Sequence, residues 1–295
     1  MSKASKIPHD HIVAADFTCE INGECIEGEQ AELIYEWVYD QFPEIKNCPF
    51  CGTSLRSADF YKEQNDPESK RFVFLVDSTL WSCDYCAYWQ WYWHEGKDNT
   101  ASELISDAYI SKLRDFEGKL PEGPDDELAQ AVRRDKNIWH TISPARLEKL
   151  VASVFKANHG DCEVFHVGKP SDGGVDVVFI DSREKQWLIQ VKRRGRPNSS
   201  EGVATIRNLL GALDLKDSLN GILVSTADHF TYRAYEAVGR AKERGKIIKL
   251  FDRGKLNRMV GPLLPDRPWL SIVEDFSPSL SKYFSKKIPK INKTK

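Results

Sequence analysis

The sequence predicts an α/β protein in two parts: a small cysteine-stapled domain, then a core with element order α-β-β-β-α-β-α-β. Three observations predict it. Two Cys-x-x-Cys pairs, Cys48/Cys51 and Cys83/Cys86, stand in the first third of the chain. From residue 143 onward, short β-branched and aromatic runs alternate with stripes at helical spacing, the pattern of a sheet flanked by helices. Within that stretch, residues 171–192 read as a hairpin carrying polar residues at apolar-strand positions.

A chain of 295 residues is long enough for two domains. Its 41% hydrophobic and 29% charged residues are those of a globular protein. No apolar run is long enough to span a membrane, and Met1–Asp16 lacks the apolar core of a secretory leader. A cytoplasmic protein with no membrane partner is expected. A net charge of −2 argues against a uniformly basic nucleic-acid binder. It leaves room for a local basic groove, which is all that phosphate contacts require.

In residues 1–46, Leu33, Ile34, Trp37 and Val38 recur at helical spacing and Pro43 marks a stop. A packing helix over Glu29–Tyr39 follows. The two cysteine pairs come next, 31 residues apart. Paired thiolates at this spacing suit one tetrahedral zinc ion, and Gly52 suits the tight turn after Cys51. Disulfides are disfavoured in a cytosolic setting. Cys19, Cys25 and Cys162 lack a partner motif and read as ordinary buried thiols; His94 is a possible substitute ligand that four cysteines make unnecessary. Phe72–Val76 and Tyr88–Trp93 read as strands, and the arrangement resembles a zinc ribbon with a long insert. The aromatic run Tyr85–Trp93 has two readings: the core of a small stapled domain, or a platform that stacks on or cages bases.

Residues 101–139 read as a helical connector. Leu104, Ile105, Ala108, Leu113 and Phe116 predict one amphipathic helix, Gly118–Pro124 a breaker-rich loop, and Asp125 or Asp126 the cap of a second helix reaching toward Trp139. The expected boundaries are 1–100 for the cysteine domain, 101–139 for the connector, 140–262 for the α/β domain and 263–295 for a basic tail. From Lys282 onward that tail carries Lys282, Lys286, Lys287, Lys290, Lys293 and Lys295 with Pro289 and no acid, and is expected to be poorly ordered. It would solubilise or touch nucleic acid.

The α/β domain opens at Ser143-Pro144, an N-cap followed by proline at the first helical position. Leu147, Leu150, Val151, Val154 and Phe155 make one apolar stripe. Asn158-His159-Gly160 ends it. Cys162–Val167 reads as a strand. Ser171-Asp172-Gly173-Gly174-Val175-Asp176-Val177-Val178-Phe179-Ile180 and Gln186-Trp187-Leu188-Ile189-Gln190-Val191-Lys192 read as the two arms of the hairpin. Then come a helix over Glu201–Leu215, a strand over Gly221–Thr226, a helix over Phe230–Lys242, a strand over Lys246–Phe251 and a short helix over Leu256–Val260. Side chains alternate faces along a strand, so Gln190 and Lys192 share a face. The turn brings Asp176 to the same end. Buried acids, amides and ammoniums need a reason.

An acid after paired glycines, followed by Gln-x-Lys on the next strand, resembles the PD-(D/E)xK nuclease superfamily and, within it, the Mrr-type restriction endonucleases. The resemblance spans Ser143 to Val260 and includes Thr226–Thr231 with Ala234. It implies a restriction-endonuclease-like core and a Mg²⁺-dependent DNA endonuclease, in restriction or antiphage defence. By that resemblance Asp176 is the principal metal ligand, the main-chain carbonyl of Val191 another, and Lys192 acts on the attacking water and the phosphate. Gln190 replaces the second acid common in the superfamily. Glu148, on the first helix, matches a glutamate that faces the site in Mrr-like enzymes; its other reading is a solvent-facing helix residue. Arg193, Arg194 and Arg196 form a cationic run, either plain surface or a contact for the DNA backbone. His229 reads as structural or phosphate-contacting. An inactive DNA-binding adaptor of a defence complex, and a junction or repair nuclease, are the alternative functions; a homo-oligomer or a defence partner protein is compatible with each.

Overall fold

In the computed structural model, residues 10–12, 45–65, 72–98, 102–110, 125–167 and 174–291 are described. The helix expected over Glu29–Tyr39, Cys19, Cys25, the loop Gly118–Pro124, and Lys293 and Lys295 lie outside them. The chain divides into two compact units, one of 1–114 with 265–291 and one of 115–264 with 292–295.

The first unit is built on an antiparallel sheet of β1 (Asp10–Ile12), β2 (Arg56–Asn65), β3 (Phe72–Ser82), β4 (Trp89–Asp98) and β5 (Ser102–Ile110), in the order β1-β5-β4-β3-β2. β5 corrects the expectation of a helix there. Leu104, Ile105 and Ala108 fit a helical stripe, but β4 offers the segment a full backbone ladder from Gln90↔Ile110 to Asp98↔Ser102. Pairing overrides local periodicity.

In the second unit, α1 (Asp125–Arg134) and the short α2 (Ile138–Thr141) precede α3 (Pro144–Asn158). The expected connector is therefore no separate body. Its strand joins the first unit, whereas α1 is tied to the second: Asp125 pairs with Arg146, and Arg133 donates to the carbonyls of Asn257 and Arg258. Ser143 caps α3 by accepting the N–H of Arg146, as its sequence position predicts.

A five-stranded sheet follows, in the order β12-β10-β8-β7-β6. β6 (Glu163–His166), β7 (Val177–Ile180) and β8 (Gln186–Lys192) are antiparallel, whereas β8, β10 (Asn220–Ser225) and β12 (Ile247–Phe251) run parallel. The α3 stripe is wholly buried, with Phe155 against Phe179 and Phe251. The opposite face packs on α4 (Val203–Leu215) and α5 (Tyr232–Glu243), where Leu188, Ile206, Leu209, Leu213, Leu223 and Leu250 share one core. A two-residue parallel ladder, β9 (Ser200–Glu201) with β11 (His229–Phe230), sits where α4 and α5 begin. α6 (Arg253–Met259) and a 3-10 turn close the unit. The predicted order α-β-β-β-α-β-α-β is present; the first hairpin arm, expected from Ser171, has its ladder only from Val177, and Ser171–Gly173 lie outside the described residues.

Residues 270–287 are packed helix rather than a loose tail. α7 (Leu270–Phe276) and α8 (Pro278–Lys287) lie on the sheet of the first unit, where Trp269, Val273, Leu280 and Phe284 share a core with Leu80, Trp89, Trp91 and Trp93. Ser277 caps α8, and Tyr283 donates to the carbonyl of Asp59 at 2.7 Å. The tail's lysines hid an apolar stripe at helical spacing. The same packing decides between the two readings of the aromatic run. Trp89 and Trp91 are fully buried, Trp91 Nε1 donates to Ser78 Oγ at 2.8 Å, and Phe276 stands edge-on to Trp91 and Trp93. These indoles are core. Among the described residues no helix is long and apolar enough to cross a membrane.

Candidate active site and the four-cysteine cluster

The hairpin β7–β8 positions the candidate site. The regular ladder of β7 starts at Val177↔Ile189. One residue earlier, Asp176 extends it: its N–H donates to the Ile189 carbonyl at 2.9 Å, and its carbonyl accepts from Val167 N at 2.9 Å. Its side chain continues the pairing, with Oδ2 accepting the Val191 N–H at 2.6 Å. The carboxylate is thus held at the strand end by the backbone it faces.

Gln190 is 3% exposed. Its Nε2 donates to the Gly174 carbonyl at 2.8 Å, and its Oε1 is buried without a hydrogen-bond partner among the described residues. A carbonyl only accepts, so the amide nitrogen must face Gly174 and the oxygen must point the other way. Gly174 has φ +82°, and a Cβ there would lie 2.8 Å from Gln190 Nε2. Both backbone freedom and space require glycine.

The structure therefore bonds Asp176 to Val191 and ties Gln190 to Gly174, two residues before Asp176. Lys192 follows on the face of Gln190, paired with Ser225 of β10, and takes no ion pair among the described residues. Glu148 is connected through a residue that sequence reasoning missed. Its Oε2 lies 3.1 Å from His166 Nε2, and His166 pairs with Val177, next to Asp176. A polar residue ending a strand was the only signal for it.

The cationic run behaves otherwise than its local sequence implies. Arg194 forms a bidentate pair with Glu201, which is fully buried. Glu201 also accepts from Ser225 Oγ at 2.8 Å and from Thr205 Oγ1. Burial pushes its carboxyl up, but the bonds from Arg194, Thr205 and Ser225 outweigh this and hold it below the ordinary range. Arg193 donates to the His140 carbonyl at 2.6 Å. The ring of His140 bonds the Arg194 carbonyl through Nδ1 and the Arg253 guanidinium through Nε2, both at 2.8 Å. Since a carbonyl only accepts and a guanidinium only donates, the ring is the neutral Nδ1–H tautomer. Arg193 and Arg194 thus lock the loop after Lys192 into place. Arg196 is exposed, as is His229 on β11.

Residues 139–260 match a family model described as a restriction endonuclease, of the Mrr catalytic type. This segment is thus similar to an Mrr-type restriction endonuclease domain. No curated protein matches the chain. Among solved structures, that of the MspJI restriction endonuclease in complex with a 27-mer oligonucleotide covers 100% of this chain and 79% of that chain, at 10% identity and a TM-score of 0.33. The Mrr-type domain thus includes α3, the hairpin and every residue expected at its site.

The cysteines come together as their spacing predicts. Cys48, Cys51, Cys83 and Cys86 have all four Sγ atoms within 4.8 Å of one another, and Cys48–Cys86, Cys51–Cys83, Cys51–Cys86 and Cys83–Cys86 are 3.5–3.7 Å apart. Four sulfurs at about 2.3 Å from a common tetrahedral centre would be ~3.8 Å apart, so the cluster fits one ion. The two knuckles repeat one another. In each, the residue after the second cysteine has positive φ, +71° at Gly52 and +59° at Ala87. Each donates its N–H to the carbonyl of the first cysteine, Cys48 or Cys83. Contact with Cys48 drives the Cys51 thiol well down and the Cys86 thiol well up; a central cation is what would let all four ionise. Cys162 stands apart, bonded to the His159 carbonyl.

Proposed function

We propose that the chain is a Mg²⁺-dependent endonuclease that hydrolyses DNA, with a structural zinc ion in the four-cysteine cluster. One observation carries this reading. Two oxygen donors, the fixed carboxylate of Asp176 and the buried, unpartnered Oε1 of Gln190, stand at one strand end. An oxygen left without a partner at such a place suits a hard cation. Asp176, Gln190 and the main-chain carbonyl of Val191 would hold Mg²⁺, with Glu148 as a further carboxylate that His166 orients. The ion would offset charge on the phosphate and lower the pKa of a bound water.

The chain's own residues supply the rest. Lys192 holds an ammonium on the Gln190 face, where it orients the attacking water and balances the charge that develops on phosphorus oxygens. Asp176 keeps its place because Val191 N–H anchors it. Gln190 brings an oxygen but no charge, so metal binding should be weaker than with two acids. Arg196 is the member of the cationic run left to meet the DNA backbone. The Mrr-type domain supports a restriction or antiphage role in the cytoplasm.

The test is cleavage of methylated, unmethylated and branched DNA by the full chain with and without Mg²⁺. Cleavage that needs Mg²⁺ and vanishes in Asp176→Ala supports the reading. Binding without cleavage on every substrate would replace it with a DNA-binding adaptor.

A further inference from the structure

A groove of about 820 Å³ runs between α4 and α5, on the sheet face that carries Gln190 and Lys192. Its cations are Arg207 from α4, Arg233, Arg240 and Arg244 along α5 and the loop after it, and Lys246. Two acids line it, Asp214 and Glu236. Asp214 is neutralised by Lys246 at 2.8 Å. The four arginines are exposed, and among the described residues none of them is in an ion pair. Four guanidiniums facing one carboxylate are not a solvated, mixed-sign helix surface. They make a concave positive strip.

The strip has a direction. Its helices begin at the β9–β11 ladder, where Glu201 pairs with Phe230 and Thr231 N donates to the Glu201 carbonyl at 2.9 Å. The Glu201 side chain reaches Arg194 and Ser225, and Ser225 stands opposite Lys192. The groove therefore starts beside the candidate active site, and the positive ends of both helix dipoles point there. From that end it runs to Arg244 and Lys246. A 12-residue helix such as α5 is about 18 Å long, the axial rise of about five nucleotides on one strand.

We infer that this groove is a second DNA contact, holding the sugar–phosphate backbone of the duplex that flanks the scissile phosphate. The inference rests on the nuclease reading for its choice of polyanion. The chemistry is guanidinium to phosphate, which fixes position without reading sequence. Arg193 and Arg194, which the local sequence offers for this task, are engaged within the fold, whereas the α4–α5 arginines take no ion pair among the described residues.

The experiment measures binding of the full chain to a labelled duplex of about 30 bp over a range of salt, with no divalent metal added. Each lost phosphate contact lowers the slope of log K against log salt by about 0.9. Replacing Arg207, Arg233, Arg240 and Arg244 with Ala should therefore lower it by ~3–4, and weaken binding at least about tenfold near physiological salt. The charge reversal Arg240→Glu alone should act in the same direction, with the thermal midpoint of each variant measured to show that it is folded. An unchanged slope in folded variants overturns the groove, as does absence of DNA binding by the wild type. Competition by poly-glutamate as effective as by unlabelled DNA would also overturn it and assign the strip to an acidic protein. Cleavage by the wild type is read separately. An unchanged slope with intact Mg²⁺-dependent cleavage removes the groove and keeps the nuclease; a groove-dependent slope without cleavage does the reverse.

Discussion

The amide nitrogen of Gln190 lies 2.8 Å from the carbonyl oxygen of Gly174, and a methyl group on Gly174 would intrude on that same nitrogen. Gly174→Ala should therefore act twice. A side chain at φ +82° costs about 1–3 kcal/mol, which a lowered thermal midpoint will show. The displaced amide should lower single-turnover cleavage by roughly tenfold or more, since misplaced groups lose their catalytic contribution. Wild-type cleavage in a destabilised Gly174→Ala would remove Gln190 from the site.

Gln190→Glu separates charge from tether. The carboxylate loses the donor that Gly174 accepts and sets an oxygen against that carbonyl. Metal-free protein should lose about 1–3 kcal/mol. Mg²⁺ titration should nevertheless show tighter binding, because an anion replaces a neutral oxygen. Metal affinity equal to that of the wild type would mean that Oε1 never meets the ion.

Asp176 can be divided the same way. Asp176→Asn keeps an oxygen for the Val191 N–H, whereas Asp176→Ala leaves that donor empty. Both should reduce cleavage by about 100-fold or more through loss of charge at the metal. Only Ala should also lose about 1–2 kcal/mol of stability. Equal melting of the two variants would show that the bond does not hold the strand end.

Replacing Cys83 with Ser removes a sulfur that lies 3.6 Å from both Cys51 and Cys86. The protein should be purified with less than one zinc per chain, and the first unit should melt earlier, because metal binding and folding are coupled. Elemental analysis finding no zinc in the wild type, isolated without chelator, would count against a metal in this cluster.

Glu201 predicts an acid-side signature. Its carboxyl is held below the ordinary range, so its stabilisation is complete above the unfolded carboxylate value of about 4.3. It is lost as pH falls through the lower folded value. Glu201→Ala leaves the hydroxyls of Thr205 and Ser225 without their acceptor and frees the half-exposed Arg194, and should cost about 1–3 kcal/mol at neutral pH. Urea unfolding of wild type and Glu201→Gln should converge as pH drops below about 4. A gap that stays constant into acid would mean that Glu201 is not ionised in the fold.

What could be read from the chain was whatever periodicity or spacing fixes locally. The α3 stripe, the hairpin with Asp176, Gln190 and Lys192, and the four cysteines all declare themselves within short windows. The misreadings share a cause. β5 is a strand because β4 needs a partner. Residues 270–287 are helical and packed because three indoles need a cover. Arg194 is structural because a buried acid seven residues on accepts it. His166 gains meaning only when a strand end meets α3. Each depends on a neighbour that no local window contains.

The cover over Trp89, Trp91 and Trp93 has a bearing on how the chain is made. Domains fold as units, N-terminal parts first, as they leave the ribosome. Here the sheet emerges before its cover, α7 and α8, which follows only after the second unit. Between those moments α7 and α8 are not there to bury the indole face. A transcript broken after Leu264 would encode every element of the second unit and still lack the α7–α8 cover of Trp89, Trp91 and Trp93, and exposed apolar surface of that kind aggregates and draws chaperones and proteases. Burial of the indole face thus waits on translation past α8, which follows the whole second unit in the chain.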